Sequence, residues 1–396
     1  MITISNKIDC CGCNACGDIC SHNAIDFKID KEGFWYPEID TTKCVDCGLC
    51  EKVCPMLHKN HKMVSPQVFG AYSNDETIRL ESASGGIFSE LASTAFNDGW
   101  VVSGAIYNAD HSVSHIVTPD ATLLPQIRCS KYLQSDVQGI YKQIASELKA
   151  GHKVLFCGTP CQVHALKNFV GEKRQENLTT IDLFCHGVNS PKVWLKYMEM
   201  LEKQFGSKAV KIKMRAKKLG WHRYSMQINF ENGKEYCLDK SKDLFLFGFL
   251  RAGNFCRPSC YECQFKGFPQ AADITLADFW GIEKIDPSMD QDKGTSFVVV
   301  NTEKGAQLFD AIKCKIVYKQ YSTEVLANRK DANNSLVARV DNRDEFFEAL
   351  DKLPFDQVAK EFFPKRKTAK KVSIIRKAWQ KMKKACRLVT EKLFHM

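Results

Sequence analysis

The sequence contains no run approaching the roughly 18 consecutive apolar residues that a membrane-crossing helix needs, and no low-complexity tract. No apolar stretch of leader length precedes the first cysteine, Cys10. Before position 365 the chain also lacks a charge excess. Its 396 residues carry 56 Lys or Arg against 46 Asp or Glu, a balance of +10. Residues 365–396 hold 12 of the basic side chains and a single acid, Glu391, leaving 44 against 45, or −1, on residues 1–364. A neutral body argues against a protein that reads nucleic-acid phosphates with a basic face. With 44% hydrophobic and 26% charged residues the chain is neither disordered nor fibrous, and its length suits two or three domains.

What the sequence has in excess is cysteine, 19 in all. Such a number suits a disulfide framework only in a short secreted chain. The thiols are therefore expected to be cytoplasmic, reduced and bound to metal. Nine lie within residues 10–54, three within 256–263, and seven are scattered.

Cys10-x-x-Cys13-x-x-Cys16-x-x-x-Cys20 is followed by Cys44-x-x-Cys47-x-x-Cys50-x-x-x-Cys54-Pro55, so the same spacing occurs twice. Three closely spaced thiols wrap three corners of a cubane, and the fourth, expected at the start of a helix, points at the other cluster. The expected ligand sets are Cys10, Cys13, Cys16 and Cys54 for one 4Fe-4S cluster and Cys44, Cys47, Cys50 and Cys20 for its partner, with Cys11 left over as a free thiol. Paired zinc sites are the alternative, but zinc sites commonly use two separated cysteine pairs, not unbroken three-plus-one runs. The segment resembles bacterial-type two-cluster ferredoxins, which implies one-electron transfer. Residues 1–57 are read as this domain, and the polar, aperiodic stretch after Pro55 as a linker.

From Val68 onward, short β-rich runs alternate with helical patterns, the texture of an α/β region. Strands are expected at residues 68–72, 100–107, 154–157, 179–184, 225–230 and 296–300, and helices near 86–97, 137–149, 161–169 and 191–204. Ser84-Gly85-Gly86 leads into the first of these helices with Ser84 as the expected N-cap, a start that suits either a plain cap or a phosphate cradle. Gly158-Thr159-Pro160-Cys161-Gln162 turns from a strand end into a helix, the edge where α/β sheets bind ligands. Cys161, near that helix N-terminus, is expected to have a lowered thiol pKa unless it is simply buried. Lys131, in Ser130-Lys131-Tyr132, is either solvated or placed to meet a phosphate or an isoalloxazine carbonyl.

Cys256-x-x-x-Cys260-x-x-Cys263 offers three corners of a further cubane. Cys185 is the first choice for its fourth ligand, with Asp273, Asp278 and Cys161 as alternatives. His186, beside Cys185, is either a proton donor or a structural histidine.

In order, Ser84-Gly85-Gly86, Ser130-Lys131-Tyr132, Gly158-Thr159-Pro160-Cys161-Gln162, Cys185-His186-Gly187-Val188-Asn189-Ser190-Pro191 and Asp273-Ile274-Thr275-Leu276-Ala277-Asp278-Phe279-Trp280-Gly281 resemble the family of coenzyme F(420) hydrogenase/dehydrogenase beta subunits over roughly residues 68–345. The resemblance implies FAD and a 4Fe-4S cluster, with Ser84, Gly85, Gly86, Lys131, Tyr132, Gly158, Thr159, Pro160 and Gln162 lining the flavin. It implies electron transfer between clusters and an organic two-electron carrier, either deazaflavin or another conjugated substrate such as one of surface-polysaccharide metabolism. The donor would be a redox partner protein or external ferredoxin. The expected architecture is α+β / α/β: a small two-cluster ferredoxin fold, then a mixed α/β flavin-binding region at 68–205, a region at 206–364 with the third cluster motif, and a basic helix at 365–396. A non-enzymatic electron-relay subunit is the alternative. In the last segment Val372, Ile375, Trp379, Met382, Cys386, Val389 and Leu393 would form one apolar stripe. A basic amphipathic helix of that kind lies on an anionic membrane surface or docks on protein.

Overall fold

The computed structural model describes residues 1–59, 66–327 and 337–364. The basic segment at 365–396, including the expected helix, lies outside them. Among the described residues no helix is long and apolar enough to cross a membrane.

The sequence repeat at the N-terminus is also a backbone repeat. Gly12 and Asn14 in the first cysteine run have φ of 71° and 61°, and their counterparts in the second run, Asp46 and Gly48, have φ of 50° and 72°. These left-handed turns curl each loop so that three thiols face inward, and each loop runs into a short helix, Ala15–Ile19 or Leu49–Val53. The fourth cysteines, Cys20 and Cys54, sit directly after these helices as their C-caps. They end a helix where the spacing suggested that they begin one, because the helical turn is already formed by the x-x-x residues. Between the runs, β1 (Ile25–Ile29) and β2 (Trp35–Ile39) pair as an antiparallel hairpin that the sequence pattern did not reveal.

The body is built on β3 (Gln67–Ser73), β4 (Val101–Tyr107), β5 (Val113–Thr118), β6 (Val154–Cys157), β7 (Leu178–Leu183), β8 (Ala209–Ala216), β9 (Ser225–Phe230), β10 (Glu235–Asp239), β11 (Ile274–Asp278), β12 (Ser296–Val300) and β13 (Ile316–Tyr321). Eight of these form one mixed sheet in the order β13-β3-β12-β11-β7-β6-β4-β5. Its centre, β11-β7-β6-β4, is parallel, and both flanks are antiparallel. The run Val154-Leu155-Phe156 is wholly buried, as expected of a strand covered on both faces. Helices such as Ile87–Asn97 and Pro160–Val170 supply that cover.

Strands β11, β12 and β13 come from beyond residue 206, so the expected division at that point does not separate two sheets. What stands apart is the antiparallel sheet β10-β9-β8, packed with helix Pro191–Phe205 on an aromatic core that includes Trp194, Tyr197, Phe245 and Phe355. Strands β5, β8, β10, β11 and β13 had no strand assignment from the sequence. The Asp273-to-Gly281 motif turns out to contain β11.

The N-terminal unit is bonded tightly to this body. Asp18 accepts from the backbone N–H groups of Gly139 (2.7 Å) and Tyr141 (3.1 Å), at the start of helix Ile140–Lys149, where a carboxylate favours the free donors. Arg343 reaches both carboxylate oxygens of Glu32 at 2.9 Å and also donates to Tyr261 Oη at 2.6 Å. Glu32 is 4% exposed, so losing its partner leaves a buried, unpaired charge. Arg343→Met is therefore expected to cost about 3 kcal/mol. Urea unfolding followed by release of the N-terminal segment to protease would measure it; an unchanged midpoint would show that the pair contributes nothing.

Candidate functional site

The four parallel strands end on one edge of the sheet, and the motif residues issue from that edge. Gly158 follows β6, Cys185 follows β7, and Asp278 closes β11. Carboxyl ends of parallel strands form natural crevices because the chain leaves them in alternating directions.

Three groups of thiols surround this edge and the unit docked on it. Cys20, Cys44, Cys47 and Cys50 line one shallow cavity together with Met1 and Asp46. Cys47 is exposed, so this group lies at the surface. Cys20 Sγ accepts from Ala24 N and Cys50 Sγ from Ile2 N, each at 3.4 Å. The second group is inward. Cys16 and Cys54 share a small buried core, where burial first, and then the charge of Cys10 beside them, pushes up both thiols. The crossed arrangement expected from the spacing, Cys20 with the second run and Cys54 with the first, is thus what the fold brings together. The donor sets suit cubanes, since each offers four thiolate ligands.

A third chamber lies between the N-terminal unit and the sheet edge. Cys161, Cys185, Cys260 and Cys263 line it, with Cys11 entering from the N-terminal side. Cys256 lines no part of it. Its thiol points into the aromatic core and toward Asn189 Oδ1 at 3.4 Å, and the residue is 1% exposed. Of the alternatives for the fourth ligand, Asp273 is engaged by Thr180 Oγ1 and Thr302 Oγ1, both at 2.7 Å. Asp278 is held by Arg215 at 2.7 and 2.8 Å and by Trp221 Nε1 at 2.8 Å. Cys161 and Cys185, by contrast, both face the chamber. The expected lowering of the Cys161 thiol is reversed: its contact with Cys11 and burial push it well up, outweighing the helix N-terminus.

Against this chamber lies an open cavity of about 370 Å³, within the ~300–1,000 Å³ of a typical ligand pocket. Chamber and cavity share a wall that includes Thr159, Gln162, Cys185 and Gly187. Ser84, Gly86, Lys131, Tyr132, Gly158, Thr159 and Gln162 line the cavity, whereas Pro160 lines the chamber. Gly85 faces the sheet: its N–H donates to Ser296 Oγ at 2.9 Å, and a Cβ there would lie 2.3 Å from the Ala71 carbonyl oxygen. Ser84 does not cap the helix. Its hydroxyl donates to the Thr295 carbonyl at 2.9 Å, and Gly86, with φ of 91°, takes the cap position. Gln162 Oε1 accepts from Thr159 N at 2.9 Å and closes the Pro160–Val170 helix start.

The cavity wall holds unsatisfied polar groups. His115 is lowered to about 4 by burial and is neutral, and its Nε2 donates to the Cys157 carbonyl at 3.0 Å, which leaves Nδ1 as an acceptor. That Nδ1 and the Arg128 Nε have no protein partner. Lys131 Nζ lies 3.2 Å from the Arg128 carbonyl and is lowered by burial to about 8, so it keeps its proton at neutral pH. Opposite, Arg215 lies over the Tyr224 ring at 3.9 Å. His186 meets Phe249 edge-on at 5.0 Å, and burial lowers it to about 4, so it is neutral. His115, Arg128 and Arg215 were not among the candidates legible in the sequence. A lone histidine or arginine in a strand or loop carries no local signal.

Burial also pushes the Asp182 carboxyl of β7 up to about 7. The folded protein therefore binds a proton there that the unfolded chain has lost, and stability falls as pH rises from about 4 to about 7. Asp182→Asn is expected to be more stable than the parent at pH 8.5, by up to roughly 4 kcal/mol, with the advantage shrinking toward pH 5.5. Thermal unfolding at the two pH values checks this, and an equal effect at both would contradict the shift.

Comparison with known proteins matches residues 9–57 to a 4Fe-4S dicluster domain and residues 151–324 to the family described as the C terminus of the coenzyme F420 hydrogenase/dehydrogenase beta subunit. A curated relative, the F subunit of F(420)H(2) dehydrogenase from Methanosarcina mazei, is 21% identical over 321 residues, 77% of this chain and 82% of the relative. A solved structure of the F420-reducing NiFe hydrogenase complex from Methanosarcina barkeri aligns at a TM-score of 0.44 and 17% identity, covering 74% of this chain and 90% of the other. The chain is thus related to the F(420) hydrogenase/dehydrogenase beta subunits and carries a 4Fe-4S dicluster domain in front, as the motifs suggested.

Proposed function

We propose that this chain is an iron–sulfur flavoprotein oxidoreductase subunit that moves electrons between a surface-bound redox partner and an organic two-electron carrier, through three 4Fe-4S clusters and FAD. The observation that carries this reading is the shared wall between the four-thiol chamber and the large cavity. When bound, 4Fe-4S clusters exchange single electrons, and a flavin couples such steps to two-electron chemistry.

The chain's own residues divide that work. Cys20, Cys44, Cys47 and Cys50 hold the outermost site, open to a partner protein through the exposed Cys47. Cys10, Cys13, Cys16 and Cys54 hold the inner site of the ferredoxin domain. Cys161, Cys185, Cys260 and Cys263 hold the third, with Cys256 serving as core packing in its place. Gly86 and Gly158 let a ligand approach the backbone at two helix starts, where free N–H groups favour a pyrophosphate. The Lys131 ammonium and the Arg128 Nε donate to ring carbonyl or phosphate oxygens, and His115 Nδ1 accepts an N–H. A pure relay subunit, by contrast, needs no cavity of this size beside its last cluster.

Anaerobic reconstitution should give a coloured protein, bleached by dithionite, with about twelve irons per chain from three cubanes and one FAD released on denaturation. Cys161→Ser should lose about four irons, whereas Cys256→Ser should keep all of them. Lys131→Ala should lower flavin occupancy without changing iron. Reoxidation of the reduced protein by deazaflavin, by nicotinamide or by neither identifies the carrier class. A colourless, zinc-only protein would refute the proposal.

A further inference from the structure

The segment 82–86 joins helix Glu76–Glu81 to helix Ile87–Asn97 and forms one corner of the cavity. Its backbone is held from the other sheet. Arg215, in β8, donates to the Ala83 carbonyl at 3.3 Å, and Lys217, just past the end of that strand, donates to the Ser84 carbonyl. Lys217 Nζ also donates to the carbonyls of Arg79 at 2.5 Å and Lys293 at 2.7 Å. An ammonium has three N–H donors and no acceptor, so three carbonyls satisfy it. One side chain thus ties together three backbone segments that are distant in the chain.

The junction has little slack. Gly294 has φ of 99°, and a Cβ there would lie 2.6 Å from the Ser84 carbonyl oxygen and 2.7 Å from Lys217 Nζ. Arg79, 4% exposed, braces the same loop, donating from Nε to the Gly294 carbonyl and from Nη1 to Gln291 Oε1, both at 2.8 Å. On the β3 side, the Gly85 carbonyl accepts from Ser73 N at 2.8 Å. Carbonyl and N–H point in opposite directions across a trans peptide, so the Gly86 N–H is aimed away from β3. The carbonyls of Ala83, Ser84 and Gly85 are all engaged by protein donors, while the first N–H groups of the following helix have no partner within it. His115, which lines the same cavity and is 5% exposed, has an unpartnered Nδ1. Lys217 is not among the residues that line the cavity.

We infer that Lys217 is a positioning residue for the phosphate groups of the cavity's ligand: from behind the wall it fixes the 82–86 corner so that the Gly86 helix start meets the anion. This rests on the flavin reading proposed above.

The test uses the full reconstituted chain, with dissociation constants for FAD and riboflavin measured by equilibrium dialysis. The two share one ring system and differ in the phosphate-bearing arm. Burial, and then the charge of Arg215, lower Lys217 to about 7, so the measurements are made at pH 6, where it keeps its proton. Lys217→Met should weaken FAD binding by roughly tenfold to a hundredfold and leave riboflavin unchanged. Gly294→Ala, which keeps the lysine but crowds the same junction, should show the same pattern. Lys293→Met, which alters a side chain paired with Glu76 at 2.7 Å, should move nothing. Iron at the parent level reports folding; where Lys217→Met falls short of it, Gly294→Ala decides. Full iron with unchanged FAD affinity would overturn the inference, and so would an equal loss for riboflavin, which marks a general loosening of the cavity. A parent chain that binds neither flavin would refute the flavin reading itself, and the positioning role with it.

Discussion

The guanidinium of Arg257 is the contact on which the arrangement of sites depends. It is fully buried at the seam between the ferredoxin domain and the sheet edge. There it donates to the carbonyls of Cys10 (2.8 Å) and Trp35 (3.0 Å) and to Gln134 Oε1 (2.8 Å), lies 3.5 Å from Cys10 Sγ, and sits 4.3 Å from the Tyr36 ring centroid. A buried cation is tolerated only when its donors are met, and here carbonyls, an amide, a thiol and an aromatic face meet them. The same residue lies between Cys256 and Cys260, and its own backbone N–H binds the Val188 carbonyl at 2.8 Å. One short turn therefore aims Cys260 into the chamber and Arg257 into the ferredoxin loop. Loosening that turn would disturb two thiol groups at once.

The rest of the site follows from where parallel strands stop. β6, β7 and β11 end side by side, so residues far apart in the chain, such as Cys161 and Cys263, reach one chamber. Lining one side with thiols and the other with small residues and buried cations divides the edge into a chamber and a cavity. The wall between them is thin where Gly187, which borders both, carries no side chain.

The sequence was most legible where the chemistry is local. The two cysteine runs could be assigned because close, regular spacing forces the thiols of one loop together, and the matching left-handed turns repeat that logic in the backbone. Strand 154–157 was legible because a short apolar run ending in glycine has few other ways to fold. Reading failed where a competing partner decided the outcome. Ser84 has the chemistry of an N-cap, but the Thr295 carbonyl takes its hydroxyl. Cys161 has the position of an activated thiol, but Cys11 and burial reverse its shift.

Sequence alone determined that this chain carries two cysteine runs with iron–sulfur spacing, that its charge resides in the segment 365–396, and that an α/β region follows the ferredoxin domain. These are properties of local spacing and composition, which need no knowledge of the fold. Only the tertiary structure decided that Cys256 turns inward while Cys161 joins Cys185, that Cys11 faces a second thiol group, and that chamber and cavity share a wall. Those outcomes depend on which side chains win burial at a crowded strand edge. The competition is among residues far apart in the chain, and no local pattern records its result.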